Sequence, residues 1–301
     1  MKQECTYSII IPHYNNMPLL DRLLRSVPKR DDIQIIIVDD CSSNEQRAML
    51  KKISRSNVFV NFNDEKTSAG NVRNQGLSLA QGKWILFADA DDFYNEDAFS
   101  VLDRYVDRDL DCVCFCVNSF DNEKKNSGGR EILSDKSVRS FLYSRNPFTE
   151  KLVKFKNYAC WNKMYAKSFL DSNHIFFEDA RVNNDVFFSL QVGAYAKKFE
   201  VIANELYCCT YSSNSITFQQ RTIEREFEFY KMAKKRNGFY RKIKLGKGFI
   251  RYDLIYLPYM IKKRGLIGAF RFYRYAWEHR KELKQSEKAY IPLAKKMMNK
   301  L

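Results

Sequence analysis

Four near-unbroken apolar runs constrain this chain more than any other feature. Tyr7–Ile11 is ended by Pro12, and Ile33–Val38 is stopped by Asp39 and Asp40. Asn57–Phe62 forms the third run, and Trp84–Ala88 gives way to Asp89-Ala90-Asp91-Asp92. Between them, Leu19, Leu20, Leu23, Leu24 and Val27 recur at helical spacing, and residues 70–80 read as a second such helix. Ser42 with Glu45, or Ser43 with Gln46, offers a capping box for a helix in between. Strands this apolar have no face for water. They predict an α/β fold whose mostly parallel sheet is covered by helices on both faces. Ligands of such sheets bind beyond the carboxyl ends of the strands. There the sequence collects His13-Tyr14-Asn15, Asp39-Asp40 and Asp89-Ala90-Asp91-Asp92.

From about 134 to 215 the pattern loosens into shorter helices and loops, and 221–301 reads as strongly amphipathic helix. The boundary is expected near 220. The formal charge of +15 is concentrated beyond it: residues 221–301 hold 23 basic and 7 acidic residues, against 28 and 29 in the rest. A block of that kind suits an anionic partner such as a lipid surface, a nucleic acid or a phosphorylated substrate. The start, MKQECTYSII, does not read as a signal peptide, and no apolar run is long enough to span a bilayer. Eight cysteines occur with no C-x-x-C pair. Cys112, Cys114 and Cys116 alternate along one face of a strand, which favours buried reduced thiols over zinc and a reducing cytosol as the compartment.

The acidic clusters carry the chemistry. Three carboxylates within four residues repel one another unless a divalent cation or several donors compensate them. Oxygen ligands suit Mg²⁺ or Mn²⁺, which also bridge phosphates. The alternative for Asp89–Asp92, as for Asp39-Asp40, is a solvated turn that caps a helix. Arg73 either neutralises a diphosphate bidentately or sits on a helix surface. No G-x-G-x-x-G and no G-x-x-x-x-G-K-[ST] is present, so neither a dinucleotide fingerprint nor a P-loop is supported.

Taken together, YSIIIPHYNN, IIIVDDCSS and GNVRNQGLSLAQGKWILFADADDFY resemble the nucleotide-sugar-binding half of the family 2 glycosyltransferases of the GT-A fold. WNKMYAKSFL followed by IFFEDARVNNDVFF is similar to the acceptor-side segment of that family. The resemblance covers residues 5–215. It implies a GT-A catalytic domain over 1–220, with nucleotide-sugar binding in 1–118 and the acceptor side in 119–220, and a basic helical appendage over 221–301. It further implies that Pro12, Tyr14 and Asn15 surround the nucleoside and that Asp39, with Asp40 beside it, accepts from the uracil N–H. Arg73 and Asn74 would approach the diphosphate. Asp89, Ala90 and Asp91 match the D-x-D motif, with Asp89 and Asp91 as ligands of Mn²⁺ or Mg²⁺. Asp185 would be the base that deprotonates an acceptor hydroxyl, giving inversion by one direct displacement.

Several positions depart from the family pattern. Asn184-Asp185 stands where the family has Glu-Asp, and Cys41 where it often has Gly. His13 either touches the nucleotide or is a satisfied structural histidine. Gln219-Gln220-Arg221-Thr222 lacks the Trp of the processive signature, and Tyr211–Thr217, similar to the family's closing loop, lacks its basic residue. Trp161 is placed either under an acceptor sugar or in the core.

The expected activity is therefore an inverting, metal-dependent transfer of a hexose or N-acetylhexosamine. The donor would be a UDP-sugar and the acceptor a glycan or lipid-linked hydroxyl in bacterial surface-polysaccharide synthesis. Aromatic residues interleaved with Lys and Arg in 249–277 add an anionic membrane surface as partner and the inner face of the cell membrane as location. A solvated cap on the catalytic domain is the other reading of that segment, and no motif supports nucleic acid as a partner. Two other function classes compete. A sugar-phosphate nucleotidyltransferase would need a Gly-rich activating loop after the first strand, where PHYNNMPLL has none. A non-catalytic adaptor for membrane or nucleic acid would tolerate loss of Asp91.

Overall fold

Alternate residues of the first two strands face opposite sides of one sheet. A computed structural model describes residues 4–127, 132–211, 221–246 and 252–298. The strands are β1 (Tyr7–His13), β2 (Ile33–Asp39), β3 (Val58–Phe62), β4 (Trp84–Phe87), β5 (Phe93–Tyr94), β6 (Cys112–Asp121), β7 (Asn126–Ser127), β8 (Lys163–Ala166) and β9 (Phe199–Tyr211). Ile9, Ile11, Ile35, Ile37 and Leu86 pack into one core with Leu20, Leu23 and Leu24 of helix α1 (Met17–Ser26). Ile10 faces the other way, against Gly76 of α3 (Ala69–Leu79), where a Cβ would lie 2.4 Å from the isoleucine methyl. Both faces of this half are thus covered, as buried strands require.

The sheet runs β3-β2-β1-β4-β8-β6-β9-β5, with β7 paired to β6. β3, β2, β1 and β4 are parallel, as the apolar runs predict. Beyond β4 the sheet becomes mixed: β8 is antiparallel to both β4 and β6, and β6 is parallel to β9. Helix α2 (Asn44–Lys51) starts at Ser43, whose side chain accepts from Gln46 N. The Gln46 carboxamide does not close a capping box; it accepts from Met17 N at 3.0 Å and ties α1 to α2.

α4 (Ala98–Leu102) follows β5, while α5 (Leu133–Tyr143) and α6 (Pro147–Lys156) lie between β7 and β8. Cys114 and Cys116 of β6 pack with Val138 of α5 and Val153 of α6. Burial pushes their thiols up to about 11 and about 12, so both stay protonated core groups. α7 (Lys167–Ser172) follows β8, and α8 (Asp185–Tyr195) is anchored by aromatic packing. Phe188 stacks on Phe177 at 4.1 Å, and both meet Phe87 of β4 edge-on.

The chain divides into one compact unit of 1–180 with 184–215 and a second of 181–183 with 216–301. The second contains α9 (Ile223–Lys242), α10 (Tyr252–Glu278), α11 (Arg280–Lys288) and α12 (Ile291–Met298). Phe227 and Tyr230 of α9 form its core with Tyr256, Met260, Phe272 and Ala276 of α10. Glu226 is fully buried there and accepts from Lys263 Nζ at 3.0 Å and from the hydroxyls of Tyr256 and Tyr259. Residues 212–217, Gln219, Gln220, Phe249, Ile250 and Arg251, singled out above, lie outside the described residues. No helix among the described residues is long and apolar enough to cross a membrane.

Candidate active site at the carboxyl edge of the sheet

The carboxyl ends of β1 and β2 are joined by a buried polar network. His13 Nδ1 lies 3.1 Å from Asp39 Oδ1, while His13 Nε2 accepts from Asn16 N at 3.2 Å. An accepting Nε2 carries no proton, so the imidazole is neutral and donates from Nδ1 to Asp39. Asp39 Oδ2 accepts from Ser42 N at 3.2 Å and from Arg47 Nε at 3.0 Å. Burial opposes ionisation of Asp39, but Ser42, His13 and Arg47 together hold its carboxyl below the ordinary range. Both of its oxygens are engaged and the residue is wholly buried. His13 is thus a structural partner of Asp39. The resemblance implies a uracil contact for Asp39; in the structure three protein donors already engage this carboxylate.

Asp40 is different. Its Oδ1 accepts from Thr67 N at 2.8 Å, and its Oδ2 has no partner among the described residues. Asn15 adopts the left-handed conformation (φ 48) and accepts from Ser43 N, so the loops after β1 and β2 hold each other. Tyr14 is exposed, with Lys66 Nζ 3.6 Å from the ring centre. Pro12, half-buried, pairs with Val38 in the central part of the sheet. Cys41 takes the left-handed conformation itself (φ 62) and its thiol donates to Asn63 O.

The acids after β4 form the second cluster. Asp89 is half-exposed, and its Oδ1 accepts from Arg73 Nη2 at 2.6 Å. Its amide donates to the hydroxyl of the buried Tyr207, and Ala90 is buried beside it. Asp91 is pushed up to about 6 by burial and by the charge of Asp89. Its backbone carbonyl accepts from Arg22 Nη2 and Thr210 Oγ1, but no other residue donates to its carboxylate among the described residues. Asp92 is nearly buried and accepts from Thr210 N at 2.7 Å; burial, then Asp91 and Asp89, raise its pKa.

The third element, residues 178–184, lies far downstream of β1, which ends at His13. Gly70, near the start of α3, lets the 178–184 segment close in: a Cβ there would lie 2.3 Å from Glu178 O and 3.1 Å from Asn184 Cβ. Asn184 Oδ1 consequently accepts from Arg73 Nη1 at 3.1 Å. The Asn184 amide thus helps to orient the guanidinium. Asp185, the first residue of α8, is raised to about 6 by burial, with Arg73 pulling the other way and Asp89 adding to the rise. Asn74 does not face this group: its side chain donates to Phe177 O at 2.9 Å and accepts from Phe177 N at 2.8 Å, pinning α3 to the segment before α8.

Trp161 is half-buried and stacked on Tyr207 at 5.4 Å with nearly parallel rings. The buried Lys163 donates to the carbonyls of Asn157 and Ala159 and to Asn162 Oδ1. Burial pulls the Lys163 ammonium below the ordinary lysine range. Sequence reasoning passed over Arg22, Lys163 and Tyr207. A lysine inside the apolar strand MYA was a signal for Lys163; the other two carried none.

Among the described residues no three His, Cys, Asp or Glu side chains form a metal cage. Mg²⁺ and Mn²⁺ do not require one, because they take one or two carboxylates and complete their shell with water and substrate phosphates. The unclaimed carboxylate of Asp91 and Asp89 Oδ2 supply a hard-oxygen donor set of that kind. These residues fit such an ion.

Comparison with known proteins agrees with this architecture. The chain is 24% identical over 210 residues to poly(ribitol-phosphate) β-N-acetylglucosaminyltransferase TarS of Staphylococcus aureus, covering 67% of this chain and 35% of TarS. It is 28% identical over 173 residues to a GalNAc(5)-diNAcBac-PP-undecaprenol β-1,3-glucosyltransferase of Campylobacter jejuni, covering 54% of this chain and 55% of that protein. It therefore spans about a third of the first relative and about half of the second. The crystal structure of S. aureus TarS 1–349 with UDP-GlcNAc matches with a TM-score of 0.59 at 21% identity, over 77% of this chain and 65% of that one. The fold is thus shared with a GT-A neighbour. The family model for glycosyl transferase family 2 matches residues 8–173, more than half of the chain and the stretch that holds β1–β4 and both acidic clusters. The chain belongs to glycosyl transferase family 2.

Proposed function

We propose that this chain is an inverting, divalent-metal-dependent glycosyltransferase. It moves a hexose or N-acetylhexosamine from a UDP-sugar to a hydroxyl of a glycan or lipid-linked acceptor in bacterial surface-polysaccharide synthesis, within the reducing cytosol. The observation that carries this is the convergence of Asp185 with Arg73 and Asp89 across more than 90 residues of sequence. It sets a carboxylate with a pKa of about 6 beside a guanidinium and a D-x-D acid. The UDP-GlcNAc bound by the TarS neighbour supports a UDP-sugar as donor.

Asp40 takes over from Asp39 as the acceptor for the uracil N–H, because its second oxygen is open. Tyr14 offers an exposed ring for the base, between Pro12 and Asn15. Arg73, whose guanidinium is held by Asp89 and Asn184, brings its positive charge to the diphosphate. Asn74 works at one remove, by holding the 177–184 segment against α3. Asp91 and Asp89 would hold Mn²⁺ or Mg²⁺, which when bound neutralises charge on the departing diphosphate.

Asp185 takes the proton from the acceptor hydroxyl as its oxygen attacks the anomeric carbon from the face opposite the diphosphate. One displacement of that geometry inverts the centre. A pKa near 6 leaves Asp185 mostly ionised at neutral pH yet basic enough to accept a proton. Trp161 supplies a flat apolar surface for an acceptor ring.

A panel of nucleotide-sugars with manganese, read by nucleoside diphosphate release, tests this. Slow release of UDP from one hexose or N-acetylhexosamine donor is expected. Release from none of them contradicts it.

A further inference from the structure

The second half of α10 carries an apolar stripe that faces water. Gly265 breaks the helix with a left-handed backbone (φ 69), and residues after it begin a new helical segment. Ala269, Phe272 and Ala276 turn inward into the core. Leu266, Ile267, Phe270 and Trp277 turn outward and are 73, 73, 69 and 68% exposed. At 100° per residue, Leu266, Phe270 and Trp277 fall within about 40° of one line, with Ile267 and Arg274 at its margin. Large exposed apolar groups normally occur singly; four on one face of one segment mark a contact surface.

The charges around the stripe decide its occupant. Arg271, Arg274, Arg280 and Lys262 are all exposed, and Arg280 lies over the Trp277 ring at 4.9 Å. Arg274 pairs with Glu278 at 3.3 Å, an exposed contact too weak to cancel the field. Residues 221–301 carry 23 basic against 7 acidic residues, so a second copy of this unit would meet it with like charge. No described helix can span a bilayer. Aromatic and aliphatic side chains flanked by arginines on one helix face suit the headgroup boundary of an anionic bilayer.

We propose that Leu266, Ile267, Phe270 and Trp277 insert into the surface of an anionic lipid bilayer while Arg271 and Arg274 contact its headgroups. This rests on the second unit alone and is independent of the donor and the chemistry. The test is flotation of the full chain with phosphatidylglycerol–phosphatidylcholine vesicles, and with phosphatidylcholine vesicles as the neutral control. Binding to the anionic vesicles, a blue shift of tryptophan emission that Trp277→Phe removes, and loss of binding at high salt are expected. Replacing Leu266, Phe270 and Trp277 together by Ser lowers vesicle binding about tenfold or more. Arg271→Gln with Arg274→Gln lowers it about thirtyfold. An unchanged circular dichroism spectrum and melting temperature in these variants show that the fold is kept. Equal binding to both vesicle types, or to neither, overturns the proposal. So does a dimer that the serine variant converts to a monomer with no effect of lipid.

Discussion

Arg73 donates from Nη2 to Asp89 Oδ1 at 2.6 Å and from Nη1 to Asn184 Oδ1 at 3.1 Å, so one guanidinium joins the acid after β4 to the residue that precedes α8. The end of β4 and the start of α8 therefore form one electrostatic unit. Its charge balance explains why Asp185 is raised only to about 6: burial and Asp89 push upward while Arg73 resists.

On the proposed mechanism Asp185→Asn removes the base and leaves the donor site intact. A fall in kcat of about 10²–10⁴-fold is expected, with little change in donor KM and an unaltered circular dichroism spectrum. Steady-state kinetics with the identified donor and acceptor checks it.

On the proposed mechanism Asp185 contributes to the acid limb of the pH profile. Below about pH 6 it gains a proton and cannot accept another, and Asp91 titrates in the same range, so a fall in kcat/KM of about tenfold or more per unit of acidification is expected. Stability moves the other way. A carboxyl raised in the folded state destabilises it wherever the ion must be kept, above about pH 6, and that cost fades as pH falls toward the ordinary carboxylate value. Asp185→Asn accordingly melts higher than wild type at pH 8, and the difference shrinks by pH 4. Thermal melts across that range measure it.

If the proposed metal dependence holds, chelation with EDTA is expected to abolish turnover and manganese to restore it. Asp91→Asn lowers turnover about 10²–10³-fold and shifts the manganese requirement to higher concentration. A manganese titration of UDP release in wild type and variant gives both numbers.

Asp39 and Asp40 separate by role despite adjacency. Asp39→Ala leaves His13, Ser42 N–H and Arg47 without their common acceptor and costs about 3–5 kcal/mol of stability. Asp40→Ala weakens UDP binding with a smaller effect on stability. Urea unfolding paired with UDP titration distinguishes them.

Gly70→Ala sets a Cβ against Glu178 O, a backbone atom that cannot swing aside. A loss of about 1–3 kcal/mol is expected, together with a fall in kcat because Asn184 and Asp185 ride on the displaced segment. Denaturation midpoints and kcat for the same preparation check the pairing.

The parallel half of the sheet was legible because its signals are local. Ile33–Val38 and Trp84–Ala88 are buried on both faces, and their acids follow within a few residues. The mixed half was not, since β8 and β9 are placed by pairing with strands far away in sequence. The same holds at the site. Asp39 and Asn74 stand where ligand contacts were expected, yet His13, 26 residues from Asp39, and Phe177, 103 residues from Asn74, engage their polar atoms. Tyr207 reaches Asp89 across 118 residues and Arg22 reaches Asp91 across 69, contacts that no spacing rule conveys. Asp185 was singled out by its resemblance to the family's motif, whereas its shifted pKa depends on Arg73 and Asp89 and so on the fold.

Isothermal titration calorimetry of the folded chain with UDP, with and without manganese, bears most directly on the nucleotide-sugar site. Saturable uptake of UDP, tightened by manganese and weakened in Asp40→Ala and Asp91→Asn, is the expected result. Absence of uptake of UDP or GDP under both conditions would contradict it.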